Sequence, residues 1–185
     1  MKSSTTKPRC VLLDANIVIV AHELGIWDSL KNAYKITLPA VVSRREALFY
    51  FKDNQKIQIR LSEQIITHEI DEIEGTVEEL SELVSLFEPW FLDTLDPGEL
   101  EALALIHSER VNNITFCTGD GPAIKALVMI GATGLGISLE SALNKIGLTK
   151  KLQNQYTEQY YKKCCNEGGL NLVQGIGIRP KKKKK

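Results

Sequence analysis

The sequence predicts an α/β fold, a three-layer α/β/α sandwich on a central parallel sheet of about four or five strands. Three observations predict it. Short runs that are apolar almost throughout, Cys10-Val11-Leu12-Leu13 and Ile114-Thr115-Phe116-Cys117-Thr118, read as strands buried on both faces. Amphipathic helical patterns separate such runs along most of the chain. The runs end on Asp14, Pro39 and Gly119-Asp120, residues that stop a strand or start a helix. The chain's 185 residues suit one domain, since domains commonly have about 100–200 residues.

The first strand, 10–13, stops at Asp14. Ile17, Val18, Val20, Ala21 and Leu24 then recur at helical spacing up to Gly25, and 27–33 adds a second short helix. Lys35-Ile36-Thr37-Leu38 is the second strand. Ser43-Arg44-Arg45-Glu46 has the form of a capping box and predicts a helix through Ala47-Leu48-Phe49-Tyr50-Phe51. Ile57, Ile59 and Leu61, then Ile66, His68 and Ile70, alternate with other residues. They predict strands around 56–61 and 65–70, spaced to form a hairpin.

Thr76-Val77-Glu78-Glu79 opens a helix whose apolar face is Val77, Leu80, Leu83, Val84 and Phe87 and whose other face is mostly Glu. Asp96-Pro97-Gly98-Glu99 opens the next, with Pro at the first helical position and Leu100, Leu103, Ala104 and His107 on one face. The strand 114–118 leads through Gly119-Asp120 to a helix over 123–130. Gly136-Ile137-Ser138-Leu139 is the last strand and 140–146 the last helix. From about Gln153 the chain is polar, then Gly-rich at Gly168-Gly169 and Gly175-Ile176-Gly177, and reads as a loosely attached tail over 151–185. Residues 1–9 form a polar arm, and the core domain spans 10–150, with 51–95 as an insertion carrying a hairpin and an acidic helix.

The formal net charge is zero, but the charges are segregated. Residues 61–109 hold fourteen acids and no Lys or Arg, while residues 1–60 hold ten Lys or Arg against five acids. The run Lys181 to Lys185 reads as an added solubility tag and is set aside. Without it the chain is acidic, so bulk charge gives no argument for nucleic-acid binding. No apolar run reaches the roughly 20 residues of a membrane span. The polar N-terminus and the break at Asp14 and Asn16 make a poor export signal, so a cytoplasmic protein without membrane partners is expected. Cys10, Cys117, Cys164 and Cys165, with His22, His68 and His107, lack zinc-ligand spacing and read as reduced structural groups. Trp27 and Trp90 read as core residues.

Asp14, Glu46, Glu99 and Asp120 carry the chemistry. Two end strands and two sit near helix starts. In an open α/β sheet these positions share one edge, where ligands bind. Four acids gathered there raise one another's pKa and call for a hard divalent cation, Mg²⁺ or Mn²⁺, which prefers oxygen ligands. Each acid also has a plainer use as a helix cap. Glu101, two residues beyond Glu99, falls on another helical face and ranks below it.

These residues resemble the PIN-domain family of small metal-dependent ribonucleases, which includes many toxins. The resemblance is carried by Leu12-Leu13-Asp14-Ala15-Asn16, by Pro39-Ala40-Val41-Val42 running to Arg45-Glu46-Ala47-Leu48, by Pro97-Gly98-Glu99-Leu100-Glu101-Ala102-Leu103-Ala104-Leu105, and by Thr118-Gly119-Asp120. It covers about 10–150, and Gly134-Leu135-Gly136-Ile137 to Lys145-Ile146-Gly147-Leu148 resembles the end of one PIN subgroup.

The resemblance implies a PIN-like fold and metal-dependent cleavage of RNA by Asp14, Glu46, Glu99 and Asp120, with Asn16 and Thr118 orienting ligand or water. Gly119 departs from the pattern, since many relatives carry Asp or Asn there. Arg44, Arg45 and Lys125 are candidate phosphate contacts. The toxin subgroup implies an antitoxin-like protein partner, and many members form homodimers, for which the apolar residues of the expected hairpin offer a face. The acidic block would repel RNA and is expected away from the catalytic edge. Two other readings stay open: an inactive PIN-like binding or assembly module, and an aspartate-dependent phosphatase. The phosphatase usually shows Asp-x-Asp where this chain has Asp14 and Asn16.

Overall fold

The computed structural model describes residues 10–111 and 114–180; the N-terminal arm and the terminal Lys run lie outside them. In chain order the strands are β1 (Cys10–Leu13), β2 (Lys35–Pro39), β3 (Phe49–Lys52), β4 (Gln55–Gln58), β5 (Asp71–Ile73), β6 (Ile114–Cys117) and β7 (Gly136–Ile137). The helices are α1 (Ala15–Glu23), α2 (Trp27–Ala33), α3 (Leu61–Ile66), α4 (Val77–Leu86), α5 (Pro89–Leu92), α6 (Pro97–His107), α7 (Gly121–Met129), α8 (Leu139–Asn144) and α9 (Glu158–Gln174).

Five strands form a parallel sheet in the order β5-β2-β1-β6-β7. Alternation along β1 divides the interior. Val11 and Leu13 enter one apolar cluster with Ile17, Leu30, Ile36, Leu38 and Leu139. Leu12 enters the other with Leu83, Phe87, Leu103, Phe116 and Leu127. Helices thus cover both faces, as the near-continuous apolar strands require. Leu12 and Phe116 are fully buried, and truncating either to Ala costs about 2–5 kcal/mol. The chain runs from β1 to β2 on one side and later crosses to β6 on the other, so β1 and β6 flank the switch point where such sheets bind ligands.

Four expectations are corrected. The helix expected through 47–51 is a strand. Val42–Glu46 makes one π-helical turn, closed by Ala47 N–H to Val42 O at 2.9 Å, and β3 then pairs antiparallel with β4. Ser43 does not cap a helix, because its hydroxyl donates to Ala40 O at 3.1 Å and to the Glu72 carboxylate. Phe49-Tyr50-Phe51 suits a strand, and Asp53 and Asn54 both take positive φ, as a two-residue hairpin turn needs.

The strand expected at 65–70 is replaced by the end of α3 and a turn, and the hairpin partner of β4 is β3. The sheet strand is β5, whose acids are matched by cations: Lys35 to Asp71 at 2.8 Å and Arg44 to Glu72 at 2.6 Å. The tail expected to be loose contains the 17-residue helix α9, packed on α7 through Ile124, Tyr161 and Cys164. Trp27 is buried, but Trp90 is half exposed and its indole donates to Glu88.

Candidate functional site

Leu13 of β1 stands in register with Cys117 of β6. The next residues, Asp14 and Thr118, therefore leave the sheet side by side. Thr118 Oγ1 donates to Asp14 Oδ2 at 3.0 Å and accepts from Asp120 N–H at 3.0 Å, so one hydroxyl ties the two strand ends together. Asp120 caps α7, its Oδ1 accepting from Ala123 N–H at 2.8 Å.

Glu99 enters from α6. Its Oε2 accepts from Asp96 N–H at 3.0 Å, while Oε1 is buried and has no hydrogen-bond partner among the described residues. Glu46, at the end of the π-helical turn, accepts from Gly98 N–H at 2.9 Å. A side chain on Gly98 would overlap the Glu46 carboxylate and put its Cβ 2.7 Å from Val42 Cγ2, so the glycine lets Glu46 reach the start of α6.

For Glu99 and Asp120 the capping and site readings describe the same bonds, whereas Asp14 makes no side-chain cap bond and Glu46 serves a helix other than its own. A hydrogen bond fixes one oxygen of each acid and sets where the other lies. Asp14 and Glu99 are 2% and 1% exposed. Burial raises Asp14 to about 7, with Asp120 and Glu46 adding to the rise and Thr118 opposing it. Burial, then Asp14 and Asp120, raises Glu99 to about 9. Asp120 is also raised, chiefly by burial, with Asp96 adding to it and the Ala123 N–H and Lys125 opposing. Burial again leads for Glu46, with Asp96 and Glu101 adding to the rise and Gly98 N–H opposing it.

The structure thus brings Asp14, Glu99 and Asp120 into one electrostatic group, with Glu46 at its rim. Among the described residues no group of three or more Asp, Glu, His or Cys side chains stands arranged to hold a metal ion. The donor set fits a hard cation all the same. All four groups are carboxylates, two are buried, and the partnerless Glu99 Oε1 is the kind of oxygen a divalent ion satisfies.

Asp96 joins the site without having been singled out. It acts on Glu46, Glu99 and Asp120. Its position before Pro97 marks it as a helix cap, and nothing in the sequence separates that role from a second one. Glu101 belongs to the scaffold: its carboxylate accepts from Val41 N–H at 2.7 Å and Gly75 N–H at 2.8 Å. Asn16 is exposed in the first turn of α1 and makes no side-chain hydrogen bond among the described residues.

Gly119 has no room for a side chain. A Cβ there would stand 2.6 Å from Cδ1 of Tyr156, whose ring takes the space a larger residue would need.

The cations divide in two. Arg44 is held by Glu72 and Glu74, and Lys125 by Glu167 at 2.7 Å. Arg45 is exposed and has no ion-pair partner among the described residues. The acidic block does not lie away from the edge as expected, since it supplies Asp96 and Glu99 and the carboxylates that hold Arg44 and the backbone of Val41 and Gly75. Among the described residues no helix is long and apolar enough to cross a membrane. No family model, curated protein or solved structure matches this chain.

Proposed function

We propose that this chain is a PIN-like nuclease that hydrolyses RNA phosphodiester bonds with a divalent ion held by Asp14, Glu99 and Asp120, and by Glu46 at the rim. The buried, partnerless Glu99 oxygen beside Asp14 and Asp120 carries the reading. A core that only needed caps would not keep two acids buried in one another's field. Mg²⁺ or Mn²⁺, when bound, supplies Lewis acidity and neutralises charge between the carboxylates and the phosphodiester.

The chain's own groups do the rest. Thr118 fixes the rotamer of Asp14 and the backbone of Asp120 through one hydroxyl. Asp120 is only partly buried, and the Ala123 N–H on its Oδ1 orients the carboxylate. It is the group suited to take a proton from an attacking water. Arg45, next to Glu46 and without an ion-pair partner among the described residues, is a cation suited to meet a phosphate. The phosphatase reading lacks the second acid of Asp-x-Asp, since Asn16 stands in that place.

The test is a cleavage assay on RNA and DNA in Mg²⁺ and Mn²⁺, with EDTA and Asp14→Asn as controls. The expected result is RNA cleavage that both controls abolish. Undiminished cleavage in either control would refute the mechanism. Binding without cleavage in every metal would favour a binding module.

A further inference from the structure

The hairpin β3–β4 follows Glu46 directly, and its two faces differ. Its register pairs Phe49 with Gln58, Tyr50 with Ile57 and Phe51 with Lys56. Alternation then places Phe49, Phe51, Lys56 and Gln58 on one face and Tyr50 and Ile57 on the other. The second face is covered, since Tyr50 packs on the core and its ring lies 5.6 Å from that of His22. The first face is open. Phe51 is 56% exposed and Leu48, at its base, is 42% exposed. Leu48, Phe49, Lys56 and Gln58 line a surface hollow of about 390 Å³. Phe49 and Phe51 meet edge to face at 5.7 Å, and Lys56 Nζ stands 3.7 Å over the Phe49 ring.

We propose that this open face is a platform for single-stranded RNA, holding the strand beside the carboxylate edge. The proposal rests on the nuclease reading for what happens to the strand, but the platform stands on its own geometry. The exposed Phe51 ring, braced by half-buried Phe49, suits an unpaired base, and stacking tolerates any base sequence. Arg45, just before the hairpin, and Lys56, on its open face, are exposed and have no carboxylate at ion-pair distance among the described residues; Lys52, paired with Gln55, falls on the other face. The only acid on the hairpin is Asp53, in its turn. Cations elsewhere near the site, Arg44 and Lys125, are already paired. Arg45 and Lys56 thus bring unpaired positive charge, among the described residues, beside the exposed Phe51 ring, a combination single-strand binders use.

Position supports the same reading. Phe51 is five residues beyond Glu46, so the two lie no more than about 18 Å apart. A strand stacked on Phe51 therefore lies within about that reach of Arg45 and the site's rim. A second copy of the chain fits this face less well. A two-fold contact would set Lys56 against the same face of the other copy, which offers it no carboxylate. A stable protein interface also uses about 20–30 residues a side, more than this hairpin has.

The test uses the full chain carrying Asp14→Asn, with fluorescein-labelled oligouridylate as the probe and anisotropy as the readout. Phe51→Ala should weaken binding about tenfold, Phe51→Tyr should restore it, and Lys56→Gln should flatten the salt dependence. Trp90→Ala, an exposed aromatic on another element, should leave binding unchanged. RNA duplex of equal length should bind more weakly. With Asp14 intact, Phe51→Ala should raise KM more than it lowers kcat.

Wild-type affinity in Phe51→Ala overturns the platform, as does a shift from dimer to monomer in light scattering, which would mark the face as a self-interface. Cleavage with a KM that ignores the hairpin variants overturns the platform and leaves the nuclease reading. Binding that depends on Phe51, without cleavage in any metal, overturns the nuclease reading and leaves the platform.

Discussion

Replacing Asp14 by Asn should make the metal-free protein more stable at alkaline pH. The Asp14 carboxyl is 2% exposed, and burial raises it from 3.8 to about 7. The unfolded chain ionises it at its ordinary value. The folded chain therefore holds the proton more tightly. The stability that comes with it is complete below about pH 4, declines as pH rises, and is gone above about pH 7. The difference of about three in pKa, at about 1.4 kcal/mol each, amounts to about 4 kcal/mol.

Asn keeps the shape and an oxygen for Thr118 but never ionises. In EDTA at about pH 8 the variant should exceed wild type by up to about 4 kcal/mol, and at about pH 5 by less than half of that. Urea unfolding at the two pH values measures it, with a midpoint shift of up to about 2 M at pH 8. A variant no more stable than wild type at pH 8, or a gain that ignores pH, would refute the claim that this edge stores uncompensated charge.

Two glycines give further predictions. Gly98→Ala should displace the Glu46 carboxylate and press on Val42, costing about 1–3 kcal/mol and lowering RNA cleavage. A variant with native melting and native turnover would show that Glu46 is not needed where it lies. Gly119→Asn should destabilise the chain through its contact with Tyr156, and Tyr156→Ala should recover much of the loss. Thermal melts of the two single variants and the double variant check this, and additive losses would contradict it.

Much of this edge is legible in the sequence because a parallel sheet obeys simple rules. β1, β2 and β6 are short apolar runs, and a strand buried on both faces can hardly look otherwise. Once they are placed, Asp14 and Asp120 follow, because the carboxyl ends of parallel strands share one edge. What escaped depends on tertiary pairing. β5 holds Asp71 and Glu72, acids that disfavour a strand until Lys35 and Arg44 meet them.

Ser43 and Glu46 have capping-box spacing, yet Ser43 turns to Glu72 and Glu46 serves another helix. Asp53-Asn54 is a weaker turn signal than Asn-Gly, and the helical reading before it hid the hairpin. α9 looked unstructured because Gly168-Gly169 reads as a breaker. In place, Gly168 is buried where a Cβ would stand 2.9 Å from Lys125 Cα, so the missing side chain is what lets α9 lie on α7.

The most direct measurement is Mn²⁺ binding to the full chain at about pH 8, read from the paramagnetic signal of the free ion. The carboxylate edge predicts one or two bound ions. Asp14→Asn and Glu99→Gln should each weaken binding about tenfold or more, whereas Glu82→Gln, on the exposed face of α4, should not. No binding by the wild type, or equal binding by all four proteins, would contradict the site.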